Sequence, residues 1–262
     1  MKKLPLFLIV LVLLLAACRG PGAEVSPSPA PTPSGVTWQD SPPPPSASPS
    51  PNQDDQSEAE FAHSDPAALQ ALQAVLLERR DFYYGSSTDR TLLLSDYLAL
   101  MSRPEIEMSF DCWALCDLDQ DGTPEVILNK VYGDNAYVGR LILHYQDGRV
   151  YGYDLTYRQL DYLKTDGSFE YNDSAFDVGI GTISFDQAAH MVYHSTVYSR
   201  SDYEDSGLRI HYFVDGKETD QAAFDAVFQE QYAKPEALWD GFCDWTVNKI
   251  FEDLPVELPC GP

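Results

Sequence analysis

The chain has 262 residues and a formal net charge of −24, with 17 Lys and Arg against 41 Asp and Glu. This acidic excess argues against nucleic acid and anionic lipid headgroups as partners, because like charges repel. Cationic ligands, neutral glycans and divalent metal ions suit such a surface better. The length beyond the proline-rich N-terminal region is sufficient for one domain with a substantial core.

The N-terminal residues have the layout of a secretory signal. Lys2 and Lys3 precede an apolar run over 4–15, which is shorter than the ~20 residues that span a bilayer. The segment Leu15-Ala16-Ala17-Cys18 that follows resembles the lipobox of bacterial lipoproteins. That resemblance implies removal of residues 1–17, acylation of Cys18 and display on the extracytoplasmic face of the cell membrane. The alternative is an ordinary cleaved signal with a cysteine nearby.

A proline-rich segment follows the signal. Residues 19–66 contain twelve of the chain's nineteen prolines and few apolar side chains. Such a segment buries too little surface to offset its ordering entropy, and proline extends it at ~3.1 Å per residue, to a reach on the order of 100 Å. We interpret residues 18–65 as a disordered tether that holds a single globular domain, residues 66–262, away from the membrane.

Helices are predicted at both ends of this domain, with strands between them. Capping by Asp65 and Pro66 begins a helix over 67–80, and a second helix covers 92–101. Strands are predicted over 110–116, 125–131, 138–145, 150–157, 176–185, 191–198 and 208–214. Two further helices are predicted over 220–233 and 236–251, with Leu238, Phe242, Trp245 and Ile250 facing inward. Short turns between consecutive strands predict an α+β fold, an antiparallel β-meander sheet flanked by N-terminal and C-terminal helices.

The cysteines suggest disulfide bonds. With Cys18 acylated, an even number remains, namely Cys112, Cys116, Cys243 and Cys260. Cys112 and Cys116 are four residues apart on one predicted strand, a separation of ~13 Å that exceeds the ~7 Å limit for a disulfide. We therefore expect each to pair with Cys243 or Cys260, which would fasten the C-terminal segment to this strand. Four reduced thiols or a single bond remain as alternatives.

Residues 117–125, here called the acidic loop, are the strongest candidate for chemistry. Calcium binds six to eight oxygens at ~2.3–2.6 Å, and carboxylates at alternate positions of a turn supply them. The glycine at the sixth position, Gly122, permits the sharp turn. The expected ligands of a structural Ca²⁺ ion are the carboxylates of Asp117, Asp119, Asp121 and Glu125 and the carbonyl of Thr123. The alternative is a solvated acidic turn that binds no metal.

The pattern Asp-x-Asp-x-Asp-Gly in this loop is shared by EF-hands, dockerins and the FG-GAP/VCBS calcium loops of β-propellers. An EF-hand requires a helix after the loop and an acid at its twelfth position, where this chain has Leu128. Because Pro124 and the apolar run after it predict a strand, the loop resembles the FG-GAP type, in a single copy. Residues 113–128 and 212–218 are also similar to segments of uncharacterised Gram-positive lipoproteins. That resemblance implies an exported α+β fold without an established activity.

Other candidate sites are weaker. Strand histidines that could converge on a metal are His144, His190, His194 and His211, although such residues usually lie at a core edge or on the surface. Tyrosines predicted in strands suit a half-buried sheet or a glycan-stacking platform, and they are Tyr132, Tyr145, Tyr151, Tyr153, Tyr193 and Tyr212. Catalytic motifs such as Gly-x-Ser-x-Gly and His-Glu-x-x-His are absent from the sequence.

Two functional hypotheses follow. The first is a membrane-anchored, non-catalytic, calcium-stabilised binding or interaction domain, whose partner is an envelope glycan or another protein. The alternative is a cell-envelope glycan or peptide hydrolase that uses carboxylates as acid and base. A deep cleft with convergent acids of perturbed pKa would favour the hydrolase, and a tyrosine-lined face would favour a binding domain.

Overall fold

A computed structural model describes residues 64–85, 90–133, 136–204 and 207–253. The predicted signal, the acylation site Cys18, nearly all of the tether and Cys260 lie outside these described residues. Within them, none of the helices combines the length and apolar character needed to cross a bilayer.

The described residues form four helices and twelve strands. The helices are α1 (Pro66–Leu76), α2 (Leu94–Met101), α3 (Gln221–Ala233) and α4 (Asp244–Asp253). The first strands are β1 (Phe82–Tyr84), β2 (Thr91–Leu92), β3 (Met108–Cys116), β4 (Glu125–Tyr132), β5 (Ala136–Gln146) and β6 (Arg149–Thr156). The later strands are β7 (Phe169–Asn172), β8 (Val178–Phe185), β9 (Met191–Glu204), β10 (Gly207–Val214), β11 (Lys217–Thr219) and β12 (Asp240–Gly241).

The α+β class is confirmed, and the strands are divided between two sheets. The first sheet has the order β12-β3-β4-β5-β6-β1-β2, in which β3 to β6 form the predicted antiparallel meander and β1 pairs with β6 in parallel. The second sheet is an antiparallel meander with the order β11-β10-β9-β8-β7. The segment 157–168 between β6 and β7 carries the chain from one sheet to the other.

Three apolar clusters join four layers of secondary structure. Helices α1, α2 and α4 cover one face of the first sheet, where Leu72, Trp113 and Leu128 are buried. The second sheet covers the opposite face, where Ile127 of β4 packs in one cluster with Phe169 and Ile183. Helix α3 packs on the outer face of the second sheet through Phe224 and Phe228. Strand β4 is therefore buried on both faces, which explains its continuous apolar run.

The helix predicted over 236–251 is wrong in its first half. The backbone of this part is extended: Ala237 N–H donates to the Leu163 carbonyl (2.9 Å), and β12 pairs with β3, so that helix α4 begins only at Asp244. Two side chains predicted to face inward are exposed, Leu238 by 45% and Trp245 by 69%. The helical spacing of apolar residues was misleading here, because pairing with two neighbouring segments satisfies the extended backbone.

The same pairing brings the C-terminal segment beside the strand that carries two cysteines, since Gly241 lies opposite Cys112. Cys112 and Cys243 are free thiols in this structure. Cys116 is buried, and its Sγ lies 3.5 Å from the Lys164 carbonyl oxygen. The disulfide pairing with Cys243 or Cys260 stays a prediction.

A buried lysine ties β4 to β6 and α2. The ammonium of Lys130, whose side chain is only 4% exposed, forms a salt bridge with Asp154. Tyr97 of α2 donates a hydrogen bond from its hydroxyl to the same carboxylate (2.8 Å). Burial lowers the pKa of Lys130, and the charge of Asp154 opposes that shift. The carboxylate therefore keeps a lysine in the interior of the sheet charged.

We expect Asp154→Asn to destabilise the protein by about 3 kcal/mol at neutral pH, because a buried ammonium loses its counter-charge. Loss of the Asp154 charge, which opposes the shift, should lower the pKa of Lys130 further below its ordinary 10.5, so that the folded variant releases its proton at a lower pH than the folded parent. Stability of the variant should therefore rise with pH towards that value, so that its deficit shrinks. Urea denaturation at several pH values measures this, with the exposed Glu105→Gln as control. A deficit independent of pH would contradict the assignment.

Candidate functional site

The acidic loop connects β3 to β4 and is closed by its own side chains. The Asp117 carboxylate accepts hydrogen bonds from the backbone N–H groups of Asp121 (3.1 Å) and Gly122 (2.9 Å). Gly122 has φ +90° and Gln120 has φ +61°, and both lie in the left-handed region that a tight turn requires. The alternation of Asp with turn residues therefore produces a compact loop, and the strand predicted after it is confirmed as β4.

Three of the four predicted carboxylate ligands converge. One oxygen each from Asp117, Asp119 and Glu125 lies within 4.8 Å of the others. The carboxylate of Asp121 is outside this group, and its Oδ1 instead accepts a hydrogen bond from the backbone N–H of Thr123 (2.7 Å). Thr123 is half-buried directly before β4. The three converging carboxylates present oxygen donors at the spacing that a single cation requires.

Glu125 is the unusual member of this group, because it is fully buried. Its Oε2 accepts a hydrogen bond from the backbone N–H of Leu118 (2.8 Å). Burial raises the pKa of Glu125 well above its ordinary value; the Leu118 N–H opposes the shift, and the charges of Asp119 and Asp117 add to it. Burial and the neighbouring Asp121 also raise the pKa of Asp119. Ionisation of all three carboxyl groups is therefore unfavourable unless a cation is bound between them.

A histidine that was not expected in this site completes the environment of Glu125. His144 of β5 is buried, its Nδ1 lies 2.8 Å from Glu125 Oε1, and its Nε2 lies 3.3 Å from Gln146 Oε1. Phe185 of β8 stacks on the imidazole at 3.7 Å between ring centroids. Burial lowers the pKa of His144, which favours the neutral ring. Both sheets thus enclose the carboxylate without adding a positive charge.

Two segments distant in sequence hold the acidic loop. Ser64, directly before α1, donates from its hydroxyl to the Gly122 carbonyl (2.9 Å), and Gln120 donates from Nε2 to the Asp166 carbonyl (3.0 Å). Gly167 has φ +76°, and a Cβ at this position would come within 2.9 Å of the carbonyl oxygens of Asp117 and Leu118. The turn 164–168 therefore packs directly against the loop.

The other histidines do not converge within the described residues. His190 pairs with Asp186 (2.9 Å), His194 with Ser184 (2.7 Å) and His211 with Glu218 (2.8 Å). The group of described residues that could share a metal ion is Asp117, Asp119 and Glu125. The imidazoles consequently have local roles in their own strands and turns.

A second feature is a groove of about 930 Å³, here called the aromatic groove, between the segment 157–163, β7, α3 and the segment before β12. Its walls include aromatic side chains that are exposed or half-buried, namely Tyr157, Tyr162, Tyr232 and Trp239. None of the six strand tyrosines named from the sequence belongs to its described lining. The groove combines turns, a helix and parts of several strands that are distant in sequence, so the periodicity of single strands gave no signal for it.

Two carboxylates lie side by side in this groove. Asp161 and Glu170 are opposite each other in an antiparallel bridge with backbone hydrogen bonds of 2.8 Å in both directions, which directs their side chains to the same face. Glu170 is 6% exposed, and burial raises its pKa. Its Oε2 accepts a hydrogen bond from the Tyr232 hydroxyl (3.5 Å), whereas its Oε1 has no hydrogen-bond partner among the described residues.

Positive backbone φ angles turn consecutive side chains into the groove. Tyr162 has φ +49° and Arg158 has φ +63°, conformations that cost a bulky residue about 1–2 kcal/mol. In an ordinary strand successive side chains alternate between faces, but Asp161 and Tyr162 both line the groove, as do Tyr157 and Arg158. Such unfavourable conformations persist where the surrounding structure enforces them, and they cluster at functional sites.

Comparison of the chain with family models, with curated proteins and with solved structures gives no match.

We expect Gly167→Ala to destabilise the protein by about 2 kcal/mol more than Gly216→Ala. Both glycines have similar positive φ angles, +76° and +70°, but the added methyl group meets backbone atoms only at Gly167. The difference between the two variants in urea denaturation therefore isolates the close approach of the turn to the acidic loop. Equal losses of stability would show that the turn does not constrain the loop.

Proposed function

We propose that this protein is a lipid-anchored extracytoplasmic protein whose folded domain is a non-catalytic binding domain stabilised by Ca²⁺ in the acidic loop. The observation that carries the calcium assignment is the convergence of Asp117, Asp119 and Glu125 within 4.8 Å, with Glu125 fully buried. A buried carboxylate beside two others is costly as an anion, and a bound cation removes that cost.

The donor set favours a hard cation. Zinc sites in proteins are built from cysteine and histidine, whereas calcium binds carboxylate and carbonyl oxygens. Among the described residues, the histidine in contact with the site is His144, whose two ring nitrogens lie next to Glu125 Oε1 and Gln146 Oε1. The remaining donors are oxygens on a turn, which suits the variable coordination of Ca²⁺ better than the strict octahedron of Mg²⁺.

The lipid anchor is supported by the sequence of residues 1–18 and by the proline-rich segment that separates those residues from the folded domain. The proline-rich segment ends where α1 begins: Asp65 accepts a hydrogen bond from the Ala67 N–H (2.9 Å) and Pro66 is the first helical residue.

An extracytoplasmic location also suits the calcium proposal, because extracellular calcium modules have dissociation constants of about 10⁻⁴–10⁻³ M.

Calcium at ten times its Kd should stabilise the protein by about 1.4 kcal/mol, which raises Tm by about 3–6 °C for a domain of this size. The measurement is thermal melting of the chain in excess calcium and in chelator. Asp119→Ala should lose the shift. Glu125→Gln should also lose it, but should melt at or above the parent temperature in chelator, because burial disfavours the ionised carboxylate and the amide is never ionised.

The exposed Asp147→Asn serves as the control and should keep the full shift. A parent chain whose Tm is the same in both buffers, together with Asp119→Ala matching it, would end the calcium proposal. An Asp119→Ala variant that melts lower in both buffers but keeps the full calcium shift would show that this carboxylate is structural and not a ligand.

The anchor is tested by labelling. In a bacterial host that processes lipoproteins, the parent chain should incorporate labelled palmitate, and Cys18→Ser should lose the label because the acylated thiol is absent. Cys112→Ser is the matched control and should retain it. Equal labelling of the parent and Cys18→Ser would contradict the lipid anchor at this position.

A glycan hydrolase is the second candidate, favoured by one observation. Asp161 and Glu170 form a neighbouring pair of carboxyl groups in the aromatic groove, and burial raises the pKa of Glu170, as a general acid requires. Release of shorter saccharides by the parent chain, with loss of that release in Glu170→Gln, would favour this function over the non-catalytic one.

A further inference from the structure

We infer that the aromatic groove is a binding site for a neutral oligosaccharide. This inference deepens the proposed role as a binding domain by naming the ligand class, and it concerns residues outside the acidic loop. A volume of about 930 Å³ lies at the upper end of the range for small-molecule sites.

The aromatic walls favour a ligand with flat apolar faces. Tyr157, Tyr162 and Tyr232 remain 52%, 59% and 50% exposed while lining one groove. Single exposed aromatic residues need no explanation, but a set that shares one concave surface marks a binding site. The C–H faces of a sugar ring pack against such rings, and the tyrosine hydroxyls remain available for hydrogen bonds.

The charges in the groove disfavour an ionic ligand of either sign. A cation would meet Arg140 and Arg158, whose guanidinium groups already contact three of the aromatic rings that line the groove. Arg140 lies 4.5 Å from the Tyr137 ring centroid and 4.6 Å from that of Trp239. Arg158 lies 4.9 Å from the ring centroid of Tyr157.

An anion would meet more negative charge than positive. Four carboxylate side chains line the groove, those of Asp161, Glu170, Asp225 and Glu236. The lining therefore disfavours an anion by its excess of carboxylates, and a ligand without net charge avoids repulsion by either the carboxylates or the guanidinium groups.

Unpartnered polar atoms of two lining residues favour a ligand that carries hydroxyl groups. Glu170 Oε1 is a buried acceptor and Arg140 Nε is a buried donor, and neither has a hydrogen-bond partner among the described residues. A hydroxyl both donates and accepts hydrogen bonds, so one kind of group can satisfy both atoms. Repeated hydroxyls on rings with apolar faces are the chemistry of a saccharide.

The left-handed backbone at Tyr162 supplies a test that separates binding from stability. Tyr162→Gly removes the ring and at the same time relieves a conformation that glycine adopts freely. The variant should therefore melt no lower than the parent chain while it loses affinity for the ligand. A tyrosine with a purely structural role would show the opposite pattern.

The experiment is isothermal titration of the full chain in detergent micelles with chitotetraose and cellotetraose. We expect at least one of them to bind, and we expect Tyr162→Gly and Trp239→Ala to weaken it about tenfold each, as for loss of one aromatic contact. The matched control is Tyr203→Ala, because Tyr203 is 88% exposed and does not line the groove. This control should bind as tightly as the parent.

Absence of binding by both oligosaccharides overturns the inference, as does binding that both groove variants retain at full strength. Tighter binding of oligolysine than of either sugar overturns it in favour of a cationic partner. Cleavage of the probe, followed by chromatography, supports the saccharide groove and replaces the non-catalytic role with the hydrolase. Melting of the same samples in calcium and in chelator tests the calcium proposal independently. Failure of saccharide binding and failure of calcium binding are therefore distinguishable.

Discussion

The burial of β4 on both of its faces is the constraint on which the structure depends. Its residues from Glu125 to Val131 are buried between α1, α2 and α4 on one side and the second sheet on the other. Yet this strand carries a charged residue near each end. Lys130 is compensated by Asp154, whose carboxylate also accepts a hydrogen bond from Tyr97. Glu125 receives hydrogen bonds but meets no positive side chain among the described residues, so the two ends of one strand differ in electrostatic balance.

Local features of this region were predictable because they depend on nearby residues. The turn follows from alternating Asp and a glycine, and the apolar run after Pro124 predicted the strand. His144 in the same site was not predictable, since it reaches Glu125 from the next strand, nineteen residues later, only once the register of β4 and β5 is fixed. The division into two sheets was missed for a similar reason. Short turns indicate which strands are consecutive but not where the chain leaves a sheet.

The sequence-based predictions that are wrong or missing in other parts of the chain also fail because of long-range pairing. Residues 236–243 have helical apolar spacing, but the backbone acceptors of Asp111 and Leu163 hold them extended. Tyr157, Tyr162 and Tyr232 were not predicted to share a site, because they come from turns and a helix that are distant in sequence. No periodicity connects these positions, and two of the backbone conformations that direct side chains inward, at Arg158 and Tyr162, are ones that sequence propensities disfavour.

The acidic loop and the aromatic groove share one structural element, the turn 164–168. On one side Gly167 packs against Asp117 and Leu118, and the Asp166 carbonyl accepts from Gln120. On the other side this turn contacts the C-terminal part of α3, where Lys234 pairs with Asp166 (2.8 Å) and Gln231 donates to the Ser168 hydroxyl (2.9 Å). Tyr232 of the groove lies between Gln231 and Lys234 in the sequence. If a cation orders the loop, as we propose, this continuous set of contacts would also order one wall of the groove.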